Sequence, residues 1–385
     1  MEPLSLRPGE RVWVDRLRIR DFRSIARLDL EFRYQLTLLI GDNGAGKTTI
    51  LDALAGVFPG TYPLEPQFSI ADVRRVSGRQ GAHATLASRQ NGNESTATIH
   101  AGGVSRPAYL PQMIGNVRAY FGADRSYGDA FGGLVDWFTT KDAEEARQVR
   151  DSRSLDYRDP ELAEVRRVVE TMIPGTSNLR IDPSTGTLVV DQDVAGQSEK
   201  FAIAELAGGL RTMLVLVADL ARMRVLSRAR RPEPPPTLVL IDELDLHLHP
   251  RWQTGVARNL LDAFPDAQFI VTTHSEEIIS SVPSECVISL QSEEGRVIAS
   301  PIPPVQGATF DRVLEDAMGL PGRRPPEFQR YFDEYWKLVD AGAGESDEAL
   351  AIRRKLDGWS QGQEPELVKA DLALRRKRPR TSSGT

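Results

Sequence analysis

Apolar and polar positions alternate at the start of the chain in two short runs, VWVDRLRIRDF (12–22) and IARLDLEF (25–32). That period of two predicts strands with one face in the core, whereas QLTLLI (35–40) is apolar almost throughout and predicts a central strand buried on both faces. A glycine-rich turn and an apolar run of helical character, ILDALAGVF (50–58), follow it. Residues 59–118 are rich in Pro, Gly, Ser and Asn with weak periodicity, so short strands and loops are expected there. DWFTTKDAEEARQVRDSRS (136–154) reads as a charged helix and ELAEVRRVVETMI (161–173) as an amphipathic one, with Leu162, Val165, Val169 and Ile173 on one face. LRIDPSTGTLVV (179–190) reads as a hairpin. A long helix is expected from near Gly208 to about Arg230, where RPEPPP stops it. Two strand-then-helix units come next, TLVLIDE with HPRWQTGVARNLLDAF and AQFIVTTHS with EEIISSVP, and then a strand pair, ECVISL and RVIAS. Residues 308–372 are mostly helical in pattern, and the tail LRRKRPRTSSGT reads as disordered.

The chemistry is concentrated in two of these turns. Gly41-x-x-x-x-Gly46-Lys47-Thr48 lies between a buried strand and a helix, the context in which this pattern cradles phosphate. The segment Asn43, Gly44, Ala45, Gly46 lets backbone N–H groups curl around the anion at the positive end of the helix; Lys47 reaches the terminal phosphates, and the hydroxyls of Thr48 and Thr49 lie at the same end. Thr48 is the expected Mg²⁺ ligand.

LVLIDELDLHLHP (238–250) carries two competing signals, paired acids and an HxH pair. A nucleoside triphosphatase needs a second strand ending in an acid beside the first, and LVLIDE supplies it: Asp242 on the metal side and Glu243 placed to polarise the attacking water as general base. HxH holds a metal at the strand ends of some hydrolases, but that reading needs further ligands, and His83, His100 and His274 show no second cluster. The plainer reading is that His247 and His249 pack and hydrogen-bond where the chain leaves the strand, before Pro250 opens a helix.

Composition narrows the setting. The 385 residues can bury a large core, as one α/β domain with insertions or as two lobes. A net charge of −6 gives no global basic field, so any contact with DNA or RNA has to come from a local patch. Two are candidates: Arg16, Arg18 and Arg20 on one strand face, and RRKRPR (375–380); each reads equally as a solvated surface. Cys286 is the single cysteine, which fits a reducing compartment and a buried small residue. The first residues carry acids and no apolar core, and the longest apolar stretch, MLVLVADLA (213–221), falls short of the roughly 20 residues that cross a bilayer. A cytoplasmic protein with no membrane contact is expected.

Taken together, "IRDFRSI…LTLLIGDNGAGKTTILDAL", "ELAGGLRTMLVLVADLA", "LVLIDELDLHLHP" and "FIVTTHS" resemble the ABC-type ATPase heads of the SMC, RecF and OLD group, in that group's order. More narrowly, "AYFGADR", "DLHLHPRWQ", "FPDAQFIVTTHS" and the helical C-terminal segment look like the stand-alone AAA-type ATPases of bacterial anti-phage systems such as Septu and certain retrons. The resemblance implies an α/β P-loop NTPase of ABC-ATPase type: a mixed sheet with antiparallel N-terminal strands, a helical insertion and a helical C-terminal extension. Its divisions would be an N-terminal ATPase lobe (1–75), an insertion (76–200), a segment with signature helix, acidic strand, D-loop and switch histidine (201–305), a helical extension (306–372) and a basic disordered tail (373–385). It also implies ATP and Mg²⁺ as ligands, Asp242 as the Walker B acid, Glu243 as catalytic base, Asp245 in the D-loop, and His274 at the γ-phosphate. Arg23 resembles an arginine that approaches nucleotide in related heads, or else faces solvent.

The signature departs from the pattern. Such heads present a serine and two glycines to the nucleotide of a partner subunit; here the residues are Ala207, Gly208 and Gly209 after Leu206. The missing hydroxyl removes a hydrogen bond to a charged group worth on the order of 1.5–3 kcal/mol, while the glycine N–H groups and the helix dipole remain. A head-to-head dimer or higher even assembly with slow turnover is therefore expected, acting as a switch for a separate effector, a nuclease by resemblance. The glutamine that senses Mg²⁺ in such heads is left open among Gln67, Gln80 and Gln112. OLD proteins carry a nuclease after the ATPase, but the 111 residues after His274 hold no DxD pair. The rival readings are a transporter ATPase, disfavoured by the long helix and RPEPPP between signature and acidic strand, a DNA-repair ATPase of RecF type, and the HxH metal hydrolase.

Overall fold

The computed structural model describes the chain from residue 14 to residue 377 apart from 34, 58–61, 64–67, 69, 74–83, 91–92, 101–102, 106–117, 123–127, 155, 231–236, 294–295, 320–325 and 361–363. Contacts divide the chain into two compact units, Met1–Gly319 and Leu320–Thr385.

The first unit is built on strands β1 (Arg16–Phe22), β2 (Ile25–Glu31), β3 (Leu36–Gly41), β4 (Tyr62–Pro63), β5 (Ala84–Gln90), β6 (Asn93–His100), β7 (Gly103–Ser105), β8 (Arg118–Phe121), β9 (Thr176–Ile181), β10 (Leu188–Val194), β11 (Gln197–Ala202), β12 (Thr237–Ile241), β13 (Ala267–Thr272), β14 (Val287–Glu293) and β15 (Arg296–Pro301). Its helices are α1 (Lys47–Val57), α2 (Gly128–Ser152), α3 (Pro160–Met172), α4 (Gly208–Arg230), α5 (Pro250–Ala263), α6 (Glu276–Ser281) and α7 (Phe310–Asp316). Twelve strands form one sheet in the order β4-β8-β12-β13-β3-β14-β15-β2-β1-β5-β6-β7, and β9–β11 form a separate antiparallel sheet. From β4 to β14 every pair is parallel; β14–β15 and the run β2-β1-β5-β6-β7 are antiparallel, and β15 meets β2 in parallel at a single register pair, Arg296 with Arg27. The fold is a mixed sheet with antiparallel N-terminal strands, a helical insertion and a helical C-terminal region, as expected.

Burial on both faces explains the near-continuous apolar runs. In β12, Val239 and Ile241 join the core that packs α3 to α6, while Leu238 and Leu240 join the core under α1. β3 divides the same way, with Leu38 and Ile40 on one side and Leu39 on the other. β1 shows the half-exposed pattern read from its alternation, Leu17 and Ile19 buried and Arg18 and Arg20 exposed. α4 covers the limits expected of it, Gly208 to Arg230, and α3 buries Leu162, Val165, Val168, Val169 and Met172, with Asp159 capping its N-terminus through the Glu161 and Leu162 amides. α2 starts at Gly128, eight residues before the charged stretch that announced it. The hairpin β9–β10 gains a third strand, β11, whose exposed residues carry little apolar signal.

The second unit holds α8 (Pro326–Asp340), α9 (Asp347–Ser360) and α10 (Pro365–Lys377). Phe332, Tyr335, Val339, Ala349, Ile352, Leu356, Leu367 and Ala370 form its own small core, and Tyr331 and Trp336 pack partly buried against it. The aromatic side chains Tyr331, Phe332, Tyr335 and Trp336 of α8 thus lie in or against this core. Helix α10 runs through Lys377, so 373–377, expected as the start of a disordered tail, are helical, continuing the Leu-Ala-Leu-Arg pattern; residues 378–385 lie outside the described residues.

One buried carboxylate on α4 has a consequence for stability. Asp219 is fully buried, one oxygen bonded to Arg222 and the other without a hydrogen-bond partner in the protein. Burial pushes its pKa up to about 6, against the opposing charge of Arg222. A folded-state pKa above the unfolded value means this carboxyl penalises folding as pH rises: stability is full below the ordinary carboxylate range and is lost as pH climbs through about 6. We expect Asp219→Asn to match the native chain near pH 4 and to exceed it by up to about 3 kcal/mol at pH 7.5, read as urea-unfolding midpoints at the two pH values.

Candidate functional site

The site sits at the carboxyl ends of three parallel strands, β3, β13 and β12, the edge at which α/β sheets bind ligands. The acidic strand was expected beside the phosphate-loop strand. Instead β13 lies between them, and the two turns meet by reaching over its end. The meeting is direct: Thr48 Oγ1 donates to Asp242 Oδ2 at 2.7 Å.

Each part of the phosphate loop has a local cause. Gly41 (φ 141°) and Gly46 (φ 98°) take left-handed backbone, and a Cβ on Gly41 would fall 2.2 Å from the Leu290 carbonyl oxygen of β14. Asp42, Asn43 and Gly44 are exposed, with open space around the Gly44 α-carbon, whereas Ala45, Gly46 and Lys47 are buried at the mouth of α1. Lys47 Nζ donates to the carbonyls of Gly41 (2.8 Å) and Asp42 (3.1 Å). Burial holds its pKa below the usual lysine value, and Asp242, Glu243, Asp42 and Asp245 pull the other way. A desolvated ammonium folded onto its own loop suits a polyanion. The hydroxyl of Thr48 and the carboxylate of Asp242 are adjacent hard oxygen donors, the type of set that takes Mg²⁺ together with phosphate and water. Thr49 is half-buried behind Thr48.

The acidic turn is held from β13. Asp242 is 1% exposed. Its Oδ1 accepts from Thr272 Oγ1 at 2.5 Å, and that same hydroxyl accepts from the Glu243 amide at 2.7 Å. Glu243 sits in left-handed backbone (φ 51°) and is half-exposed at the rim. Asp245 Oδ1 accepts from Thr273 Oγ1 (2.6 Å) and from the amide of His274 (3.1 Å), so the D-loop acid and the histidine after β13 are joined. The structure therefore brings Lys47, Thr48, Asp242, Glu243, Asp245 and His274 to one end of the sheet. The two threonines were visible as polar residues after the apolar run Phe269–Val271, but sequence reading gave them no part.

The remaining candidates fall elsewhere. Ala207 and Gly208 lie exposed at the N-terminus of α4, and Gly209 is pressed against the turn after Asp245: a Cβ there would fall 1.8 Å from the His247 carbonyl oxygen. Arg23 (φ 49°) is engaged with two carboxylates, Asp52 of α1 and Asp72 (2.8 Å), while Tyr120 donates to the other oxygen of Asp52 at 2.7 Å. It is neither facing solvent alone nor free to swing; it ties the β1–β2 turn to the helix behind the phosphate loop. His249 caps α5, accepting from the Arg251 amide at 3.2 Å, with Pro250 at the first helical position, and His247 is exposed in left-handed backbone. Among the described residues no group of three or more His, Cys, Asp or Glu is placed to hold a metal ion. Gln67, Gln80, Gln112 and His83 lie outside the described residues. Arg16 is paired with Asp29 (2.6 Å), while Arg18 and Arg20 are exposed on the same face of β1. Among the described residues no helix is long and apolar enough to cross a membrane.

Two family models match: an AAA domain over residues 16–159, and "AAA domain, putative AbiEii toxin, Type IV TA system" over residues 119–280. Among relatives, a retron Ec83 ATPase of Escherichia coli is 31% identical over 217 residues, covering 55% of this chain and 39% of the relative. The Septu protein PtuA of Bacillus mycoides is 23% identical over 366 residues, 86% of this chain and 48% of PtuA. The chain thus spans less than half the length of either. A solved SMC head, bound to the C-winged helix domain of ScpA, superposes with a TM-score of 0.53 at 17% identity over 75% of this chain and 98% of that one, a likeness of fold. With the phosphate loop, the acidic strand and the sheet order in place, these matches make the chain similar to AAA-domain ATPases, those of the retron and Septu systems among them, on a fold like that of an SMC head.

Proposed function

We propose that the chain binds ATP with Mg²⁺ at the ends of β3, β13 and β12, hydrolyses it slowly between the heads of two copies, and so switches a separate effector. The observation that carries this reading is the 2.7 Å contact between Thr48 and Asp242, which joins the phosphate loop to the acidic strand although another strand separates them. Mg²⁺ held by these two groups would neutralise charge on the β- and γ-phosphates. The loop amides at Asn43, Gly44, Ala45 and Gly46, with Lys47 and Thr49, bind the phosphate chain. Glu243 accepts the proton of the water that attacks the γ-phosphorus; the new P–O bond forms as the bond to the β-phosphate oxygen breaks, leaving ADP and phosphate. His274, tethered through its amide to Asp245, would contact the same phosphate.

The second half of the site comes from another copy. Ala207 and Gly208 stand exposed at the start of a 23-residue helix, with free space about Gly208, so the positive helix end is available to a phosphate held by a facing head. Gly209 against His247 makes the two halves mechanically continuous within one chain. Resemblance to retron and Septu ATPases supports an anti-phage setting and a nuclease as effector.

Phosphate release from Mg-ATP tests the reading. Glu243→Gln should keep nucleotide affinity within about threefold and cut turnover by at least 10²-fold, the scale of removing a general base; equal turnover in both proteins would sink the assignment. Ala207→Ser restores the hydroxyl missing from the helix start, and should speed hydrolysis by about tenfold, equivalent to ~1.4 kcal/mol, in a manner that grows with protein concentration because the hydroxyl acts on the other copy's nucleotide.

A further inference from the structure

The threonine pair at the end of β13 lies beneath the acidic turn and bonds it from below. We infer that Thr272 is a positioning residue for hydrolysis, its single hydroxyl fixing both the metal-side acid and the general base. The inference rests on the ATPase reading above and deepens it.

The argument is one of hydrogen-bond polarity. An amide N–H only donates and an ionised carboxylate only accepts, whereas a hydroxyl has one hydrogen to give and lone pairs to receive. Thr272 Oγ1 lies 2.7 Å from the Glu243 amide nitrogen and 2.5 Å from Asp242 Oδ1. The amide must point its hydrogen at the oxygen, so the hydroxyl hydrogen is committed to Asp242. The hydroxyl therefore reads two consecutive residues at once, and it is fully buried. A third bond, from the Leu244 amide to the Thr272 carbonyl (2.9 Å), extends the grip to the next residue.

Two features of the turn need such a grip. Glu243 occupies left-handed backbone at φ 51°, a conformation that costs a non-glycine residue energy unless its surroundings hold it. Asp242 has its other oxygen engaged by Thr48, so the bond from Thr272 fixes the rotation of the carboxylate about its own axis and leaves Oδ2 on the phosphate side. Thr273 does the corresponding work one step on, bonding Asp245 and the Ser275 amide. The end of β13 is thus a template: successive hydroxyls set successive acids of the neighbouring turn.

The test compares Thr272→Val, which keeps the shape and removes the hydroxyl, with Thr272→Ser, which keeps the hydroxyl, in the full chain. Three quantities are read: hydrogen exchange of the peptide containing Glu243 without nucleotide, affinity for a fluorescent ATP analogue with and without Mg²⁺, and steady-state turnover. Valine should raise exchange at the turn, leave Mg²⁺-free affinity within about twofold, abolish part of the gain in affinity on adding Mg²⁺, and lower kcat by roughly 10–100-fold, the scale of losing a group that orients a metal ligand; KM should change little. Serine should return all three toward the native values. The inference is overturned if valine leaves exchange and the Mg²⁺ gain unchanged, or if serine and valine are equally impaired, which marks a packing role. A native chain that binds no nucleotide at all overturns the ATPase reading itself, and this inference with it; native binding and turnover with an unaffected valine variant overturns the inference alone.

Discussion

A carboxylate that is 1% exposed must be surrounded by donors, and the way Asp242 meets that demand organises everything around it. Its two oxygens are satisfied from two directions, by Thr48 on the helix after β3 and by Thr272 at the end of β13. Three strands therefore have to end at one level. Their parallel registers, Leu238–Ile241 against Gln268–Val271 and Phe269–Thr272 against Leu36–Leu39, deliver that alignment. Parallel pairing in turn requires helices over both faces, which is why these strands read as uninterrupted apolar runs.

Around this centre the contacts are graded by depth. The Arg16–Asp29 pair is about one-third exposed on each side and is worth a fraction of a kcal/mol. The Arg23–Asp52–Tyr120 cluster is deeper, and it fastens α1 from behind, so the helix that presents Lys47 and Thr48 is fixed at its N-terminus by the loop and further along by Asp52. Gln268 performs a similar service at the other end of β13, accepting from the Val14 amide and donating to the carbonyls of Val14 and Arg33. The central strand is thereby pinned at both ends by polar groups, with only apolar contacts between.

Periodicity made the strands β1 and β2 and the helix α3 legible before any coordinates, because burial of one face imposes a repeat on each, while β3 was legible as an unbroken apolar run and α4 by the Gly208 and RPEPPP that bound it. The glycine-lysine-threonine turn and the Asp242–Glu243 pair were legible because their residue types serve one chemistry. Strand order was not: nothing in a one-dimensional pattern says that β13 inserts between β3 and β12. The two carboxylate partners of Arg23 were hidden for the same reason, since they lie 29 and 49 residues away in sequence. The small polar residues at the end of β13 carry no periodic signal at all, and β11, with its four exposed leading residues, resembles a loop. What sequence conceals is mainly which distant groups share a proton.

The lone cysteine gives the fold a practical property. Cys286 is fully enclosed beside β14, and burial pushes its thiol up to about 12, so at neutral pH it is neither reachable nor a thiolate. The chain thus behaves toward alkylating reagents as though it had no cysteine. A thiol introduced at an exposed place, such as Ala204 just ahead of α4, would take a spin label or fluorophore alone, without first stripping the native residue from the core. Distances between two such labels would then tell whether two copies approach one another when nucleotide is added.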